Sequence, residues 1–324
     1  MKTIGYLISH KNNERRRALL PNDAERIQHR SMITVEHDYG AVLGYSDDDY
    51  LLAGVSVAPR KQVLGCDALV DVKLGDADFM GQISPRKTLI GWSHILQKPD
   101  FTDTAIAGQH SVLAWENILE NGRYLFYRNR ELAGETAILH AFCHYGRMPY
   151  DCSVAIIGNG MTARGAFRIL SGLGARVDIF TRKMESLFRE KMTEYDVIVN
   201  CVRWDTCRGD RLIYRSDLRR MRKGSMIIDV SCDSCLEVET SHATTFDNPV
   251  YSVDGVLHYA VDNTPAMAYR TVSEVISGSF SPYVDAIVMN KPVAALEQAY
   301  VIRGGILLDA ECISFRSRAE QNEA

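Results

Sequence analysis

Gly158-Asn159-Gly160-Met161-Thr162-Ala163 stands directly after the apolar run Ser153 to Ile157 and opens a stretch of helical spacing, Ala163 to Gly174. The first glycine suits a tight turn, Gly160 lets backbone N–H groups approach a pyrophosphate, and the helix N-terminus adds partial positive charge there. Gly165 allows the helix to pack close to the sheet. The chemistry served by this spacing is dinucleotide binding. About 20 residues beyond the glycines, where an acidic side chain would hold a ribose 2′-hydroxyl, the sequence reads Phe180-Thr181-Arg182-Lys183. A hydroxyl and two cations suit a 2′-phosphate, which Arg meets bidentately and Lys meets as a point charge. The expected cofactor is therefore NADP(H). Asp178 is the competing acid, but it stands inside the strand and not at its tip. The plain alternative for Arg182 and Lys183 is solvated surface charge.

Other reactive side chains are scattered. The eight cysteines are too sparse for a disulfide scaffold and read as reduced thiols. Cys232-Asp233-Ser234-Cys235 has a redox or metal spacing but no second Cys or His pair at a matching distance, so it reads as incidental. No P-loop, nucleophile elbow or metal cluster is present, and no metal is expected. His140 and His258 read as structural.

The elements that must position these residues are clearest in the middle of the chain. Ser153 to Ile157, Arg176 to Phe180, Asp196 to Asn200 and Met226 to Val230 are short apolar runs that read as strands buried on both faces of a parallel sheet. Upstream, Thr3 to Ile8, Ser31 to Glu36, Ala68 to Val72, Thr88 to Gly91 and Ser111 to Ala114 read as strands, with helical pieces in Glu14 to Arg30 and Asp47 to Leu51. Leu132 to Tyr145 reads as a hinge helix ending before Pro149, and Thr271 to Ile276 and Tyr283 to Val301 are helix-patterned. The expected architecture is α/β: a Rossmann-type NAD(P)-binding domain over 133–264 and a second, Rossmann-like substrate domain over 1–132 and 265–324, with a cleft between them.

At 324 residues and 46% hydrophobic, the chain is long enough for two domains. Its 37 Lys and Arg against 41 Asp and Glu leave a net charge of -4, which provides no general field for nucleic acid or for an anionic membrane. The N-terminal apolar stretch is too short for a signal sequence, and no segment reaches the ~18 apolar residues of a membrane span. A cytoplasmic protein with small-molecule partners is expected.

Several segments outside the glycine motif resemble the alanine dehydrogenase and pyridine nucleotide transhydrogenase superfamily. Lys11-Asn12-Asn13-Glu14-Arg15-Arg16-Arg17-Ala18-Leu19-Leu20-Pro21 is similar to its opening K-x-x-E-x-R-V-A-L-x-P, with Arg17 in place of Val. The resemblance puts Arg16 at the substrate-carboxylate arginine. Asp71-Val72-Lys73 resembles the strand-end V-x-K, and Leu89-Ile90-Gly91-Trp92-Ser93-His94 the strand ending in the catalytic His. Glu131-Leu132-Ala133-Gly134 resembles the hinge-helix start, and Asn263-Thr264-Pro265-Ala266-Met267-Ala268-Tyr269-Arg270-Thr271 the cofactor-contacting N-M-P-G-x-x-P-R-T, which makes Asn263 a cofactor ligand. Within the superfamily, Ile8 to Glu14, Gly44 to Asp47, Gly134 to Phe142 and Val253 to Tyr259 are most similar to the N5-(carboxyethyl)ornithine synthase branch. Alanine dehydrogenases usually carry Asp at the end of the second strand and a longer C-terminal region.

This resemblance implies reductive condensation of pyruvate with the side-chain amine of ornithine or lysine, using NADPH. Such a reaction needs a cation for the keto-acid carboxylate and a proton shuttle near neutral pH. Arg16, Lys73 and His94 supply those types: His94 for its ordinary pKa of about 6.5, Lys73 as a carbonyl-polarising cation or, if desolvated, a base. Asp233, after the strand Met226 to Val230, stands at the family's acidic position near the nicotinamide. For the second substrate's polar ends the candidates are Glu116 and Glu135. A homo-oligomer, dimer or tetramer, is implied by the resemblance alone. Two alternatives remain open within the same fold: an alanine dehydrogenase using ammonia, and a saccharopine-forming enzyme using lysine and 2-oxoglutarate. A non-catalytic NADP-binding protein is a third.

Overall fold

A computed structural model of the chain describes residues 1–202, 208–232 and 237–323. The chain divides into two compact units, Met1–Phe126 with Tyr269–Ala324, and Tyr127–Ala268. The first carries strands β1 (Ile4–Tyr6), β2 (Ile33–Glu36), β3 (Ser56–Ala58), β4 (Ala68–Val70), β5 (Thr88–Gly91), β6 (Ser111–Ala114) and a short hairpin, β7 (Leu119–Glu120) with β8 (Arg123–Tyr124). The second carries β9 (Ser153–Ile157), β10 (Arg176–Phe180), β11 (Val197–Asn200), β12 (Met226–Asp229), β13 (Val250–Val253) and β14 (Val256–Tyr259). Strands β15 (Tyr300–Arg303) and β16 (Ile306–Leu307) return to the first.

The sheet of the first unit runs β16-β15-β6-β5-β4-β1-β2-β3, parallel from β6 to β3. Chain order reverses between β1 and β4, the place where open α/β sheets leave a crevice outside the carboxyl ends of their strands. In the second unit the order is β10-β9-β11-β12-β14-β13, parallel except for β13, and the reversal falls between β9 and β11. Alternate residues of its central strands go to opposite faces. Val154, Ile156, Val199 and Ile228 join one buried cluster, and Ala155, Ile157, Ile198 and Ile227 the other, so both faces are covered.

Of the helical pieces expected within Glu14 to Arg30, one α-helical turn forms, Pro21–Ala24. The amides of the preceding stretch find side chains instead of i−4 carbonyls. Arg16 N–H donates to Glu14 Oε1 (2.9 Å), Arg17 N–H to Ser273 Oγ (2.8 Å), Ala18 N–H to Tyr39 Oη (2.7 Å) and Leu20 N–H to Ser277 Oγ (2.8 Å). Every one of those donors is therefore satisfied in an extended segment stitched to the helix Tyr269–Val288. That helix contains Thr271 to Ile276 and stops at Val288, where the expected continuation to Val301 fails. Asn290 takes a left-handed conformation (φ 51°), Pro292 follows, and Tyr300 to Arg303 pair with β6 instead.

The unit boundaries fall at Tyr127 and Tyr269, a few residues from 132/133 and 264/265. The helix Tyr127–Tyr145 packs as one piece against the helix Met161–Gly172, and Thr264 Oγ donates to Ala133 O (3.1 Å), which ties both ends into the second unit. Among the described residues, no helix is long and apolar enough to cross a membrane.

Candidate active site

Four adjacent strands of the first unit, β1, β4, β5 and β6, deliver Arg16, Lys73, His94 and Glu116 from their carboxyl ends. Arg16 is buried, and Glu14 grips it through Nε (2.8 Å) and Nη2 (2.5 Å), a two-point carboxylate clamp that fixes the guanidinium plane. Its guanidinium carbon lies 4.9 Å from the centre of the Trp92 ring. Trp92 is the hub of the site. Its backbone N–H donates to Val72 O (3.4 Å), beside Lys73, its carbonyl accepts from Gly75 N–H (3.0 Å), and it leads directly into Ser93 and His94.

Gly75 makes this junction possible. A Cβ there would stand 2.2 Å from the carbonyl oxygen of Ser93, so only glycine allows the loop after Lys73 to touch the loop carrying His94. His94 itself has φ 46°, a left-handed conformation that a non-glycine residue keeps only when its surroundings impose it. Glu116 imposes it. Its carboxylate accepts from Ser93 N–H (3.2 Å), Ser93 Oγ (2.8 Å) and His94 N–H (2.6 Å). Both oxygens of Glu116 are thereby engaged in holding the His94 loop.

Asp71, two residues before Lys73, is fully buried and accepts the Lys73 N–H (2.8 Å) on Oδ1, while among the described residues its Oδ2 has no hydrogen-bond partner. Burial pushes its carboxyl up to about 6, with the like charge of Glu14 adding to the effect. Asp76, in the loop after Lys73, goes the other way. Burial works to raise it, but Lys98, Lys11 and Lys73 together hold it below the usual carboxylate range. Lys73 is buried, His94 half-buried.

In the second unit, β9 ends at Ile157 and Gly158 turns the chain with φ 118°, donating its N–H to Phe180 O (2.8 Å). Gly160 caps the helix Met161–Gly172, and the space where its Cβ would stand is open. The first amides of that helix, among them those of Met161, Thr162 and Ala163, have no carbonyl one turn back to bond. Asn159 and Gly160 are exposed. This is a cradle a pyrophosphate fits. Gly165 and Gly134 bring the two helices into backbone contact: a Cβ on either would meet Glu131 O at 1.9 Å or Thr162 O at 2.0 Å.

At the tip of β10, Arg182 and Lys183 are exposed and their side chains make no ion pair or hydrogen bond among the described residues. Asp178 instead accepts the hydroxyl of Tyr195 (2.8 Å). Thr181 is half-buried beside them, and Asn263 adopts φ 66° with its carbonyl accepting Ala266 N–H (3.0 Å). Glu135 is bound by Arg128 (2.6 Å) and Arg168, all within this unit. Asp233 and Cys235 lie outside the described residues; Cys232 is buried. The sequence reading missed Trp92, Glu14, Asp71 and Asp76 as parts of the site. Glu14 carried a weak signal, the one acid in the polar run Lys11 to Arg17, whereas the roles of Trp92 and Asp76 arise only from loop contacts.

Comparison with known proteins gives the family. Residues 9–126 match the family model described as "Alanine dehydrogenase/PNT, N-terminal domain", and residues 181–314 match its C-terminal counterpart. The N(5)-(carboxyethyl)ornithine synthase of Lactococcus lactis subsp. lactis (strain IL1403) is 30% identical over 290 residues, 85% of this chain and 93% of the relative. The chain belongs to the alanine dehydrogenase/PNT family. As a member it is an oxidoreductase of the alanine dehydrogenase type. The alanine dehydrogenase of Halomonas elongata is 27% identical, covering 96% of this chain and 94% of its own. An L-alanine dehydrogenase structure superposes with a TM-score of 0.83 at 22% identity, covering 98% of this chain and 99% of that one, and a transhydrogenase from Sinorhizobium meliloti with 0.77 at 16%, covering 95% and 99%. These two establish the shared fold.

Proposed function

We propose that this chain catalyses the NADPH-dependent reductive condensation of pyruvate with the side-chain amine of ornithine or lysine, giving N5-(1-carboxyethyl)ornithine or N6-(1-carboxyethyl)lysine. The observation that carries the reading is that the Arg16 guanidinium lies against the Trp92 ring while the Trp92 backbone joins the loops that carry Lys73 and His94. The 30% identity to a carboxyethylornithine synthase over 93% of that relative supports the choice of substrates.

In this reading Arg16, its plane set by Glu14, receives the pyruvate carboxylate as a bidentate partner. Lys73 lies against the keto oxygen and polarises it. The donor amine adds to the carbonyl carbon, and His94 moves the proton lost by nitrogen to the departing hydroxyl, so that water leaves and an imine remains. Gly158 to Ala163 and Asn263 would hold the dinucleotide, which when bound would supply the hydride that reduces such an imine to the secondary amine. Asp233 is assigned beside the nicotinamide from family position. Arg182 and Lys183, uncommitted among the described residues, and Thr181 support a 2′-phosphate contact, whereas the one acid of that strand, Asp178, is taken by Tyr195. The enzyme works as a homo-oligomer, dimer or tetramer, in the cytoplasm.

The test is product identity. Incubation with pyruvate, ornithine or lysine, and NADPH should yield a carboxyethyl amino acid by mass spectrometry, with the pyruvate carbons in the adduct. Formation of alanine alone, when ammonia is supplied, would replace this reading with that of an alanine dehydrogenase.

A further inference from the structure

The donor amino acid carries an α-ammonium and an α-carboxylate that require partners, and Glu116 and Glu135 are engaged elsewhere, the first by Ser93 and His94, the second by Arg128 and Arg168. A cavity of about 420 Å³ lies within the first unit, between the turn Leu74–Asp76 and the start of the helix Pro99–Ala107. Its size is that of ordinary small-molecule sites. Its walls belong to the two loops that carry Lys73 and His94: Asp76 N–H donates to Lys73 O (2.8 Å), and Lys98 N–H to His94 O (3.1 Å).

The lining pairs one anion with one cation over an apolar floor. Asp76 and Lys98 face each other as an ion pair, with Asp100 nearby as a second acid, and Ala77, Met80 and Phe101 provide the floor. Lys11 also reaches Asp76 (3.3 Å), and the charge of Lys73 acts on the same carboxylate. Asp76 and Lys98 are partly exposed, 19% and 35%. An ion pair in such a setting contributes little by itself, so exchanging it for two contacts with a zwitterion costs little.

Building on the proposed reaction, we propose that this cavity is the subsite for the α-amino and α-carboxylate groups of the amino acid donor. Asp76 receives the ammonium, Lys98 the carboxylate, and the methylenes lie along Met80 and Phe101, with the side-chain amine directed toward Lys73.

Steady-state kinetics on the full-length enzyme test this, with the donor amine, pyruvate and NADPH varied in turn. Lys98→Ala removes the carboxylate partner. Thr104→Trp, on the exposed side of the helix, fills the cavity without removing a charge and guards against a folding defect in the first variant. Both should raise KM for ornithine or lysine at least ~10-fold, the size of one charge-assisted hydrogen bond, while KM for pyruvate and NADPH stays within about twofold. Unchanged KM for the amine in both variants, or an equal rise for pyruvate, overturns the subsite. The wild-type enzyme reports separately on the reaction itself: turnover with ammonia alone overturns the proposed function, whereas turnover with ornithine or lysine and unaltered variants overturns only the assignment of the cavity.

Discussion

Lys73 and His94 were visible in the sequence through the strings around them, but what holds them was not. The left-handed φ of His94 and the Glu116 carboxylate that fixes it pair residues 22 apart, a contact that no local pattern encodes. Replacing Lys73 or His94 by Ala should lower kcat by at least ~100-fold with NADPH binding retained, as expected for lost general acid-base catalysis; stopped-flow turnover with a fluorescence titration of NADPH reads both quantities, and near-normal turnover in both variants contradicts the assigned roles. Asp71 offers a test that needs no substrate. Its folded pKa, about 6, is above the ordinary value of 3.8, so the folded state holds a proton that the unfolded state releases first. Stability is therefore lost as pH rises through the window from about 4 to about 6, by an amount on the order of 3 kcal/mol. Asp71→Asn should accordingly gain in denaturation midpoint over wild type at pH 8 and lose that advantage near pH 4. A pH-independent difference would mean that Asp71 keeps an ordinary carboxyl.

The strands of both parallel sheets were legible where apolar runs end on polar clusters: β5, β6, β9 and β10 match their sequence bounds. Three hairpins were not read, although each carries a two-residue turn of paired positive φ: Asn121-Gly122 (50°, 78°), Asp254-Gly255 (50°, 85°) and Gly304-Gly305 (56°, 82°). Asn-Gly, Asp-Gly and Gly-Gly are the residues such turns favour, so the signal was present, but the flanking strands of two to four residues are too short for period-two alternation to stand out. Glu14 to Arg30 holds one α-helical turn and no more for the opposite reason: ahead of that turn the amides bond side-chain oxygens from distant elements. Two predictions belong at this scale. Gly75→Ala should separate the Lys73 and His94 loops and reduce kcat by about 100-fold while leaving NADPH affinity intact, the size of effect expected for a misplacement of about 1 Å; unchanged kcat would show that the two loops need not touch. At the tip of β10, Arg182→Ala should weaken NADPH far more than NADH in equilibrium titrations. Equal weakening of both would move the 2′-phosphate contact elsewhere.

Each unit of the molecule repeats one plan. A parallel sheet reverses its strand order, and the residues of interest leave the carboxyl ends at the reversal: Arg16 and Lys73 after β1 and β4, Gly158 after β9. That plan follows from the order of apolar runs and from the glycine motif, which is why the α/β class could be read at once. The identity of the amine could not, because the cavity proposed to receive it is assembled from Asp76, Lys98, Met80 and Phe101, side chains that composition and periodicity leave unremarkable. The most direct measurement is the initial rate of NADPH oxidation at 340 nm with pyruvate fixed and ornithine, lysine or ammonia supplied in turn. Oxidation with ornithine or lysine and none with ammonia is the predicted result; oxidation with ammonia alone, or none with any amine despite tight NADPH binding, would contradict it.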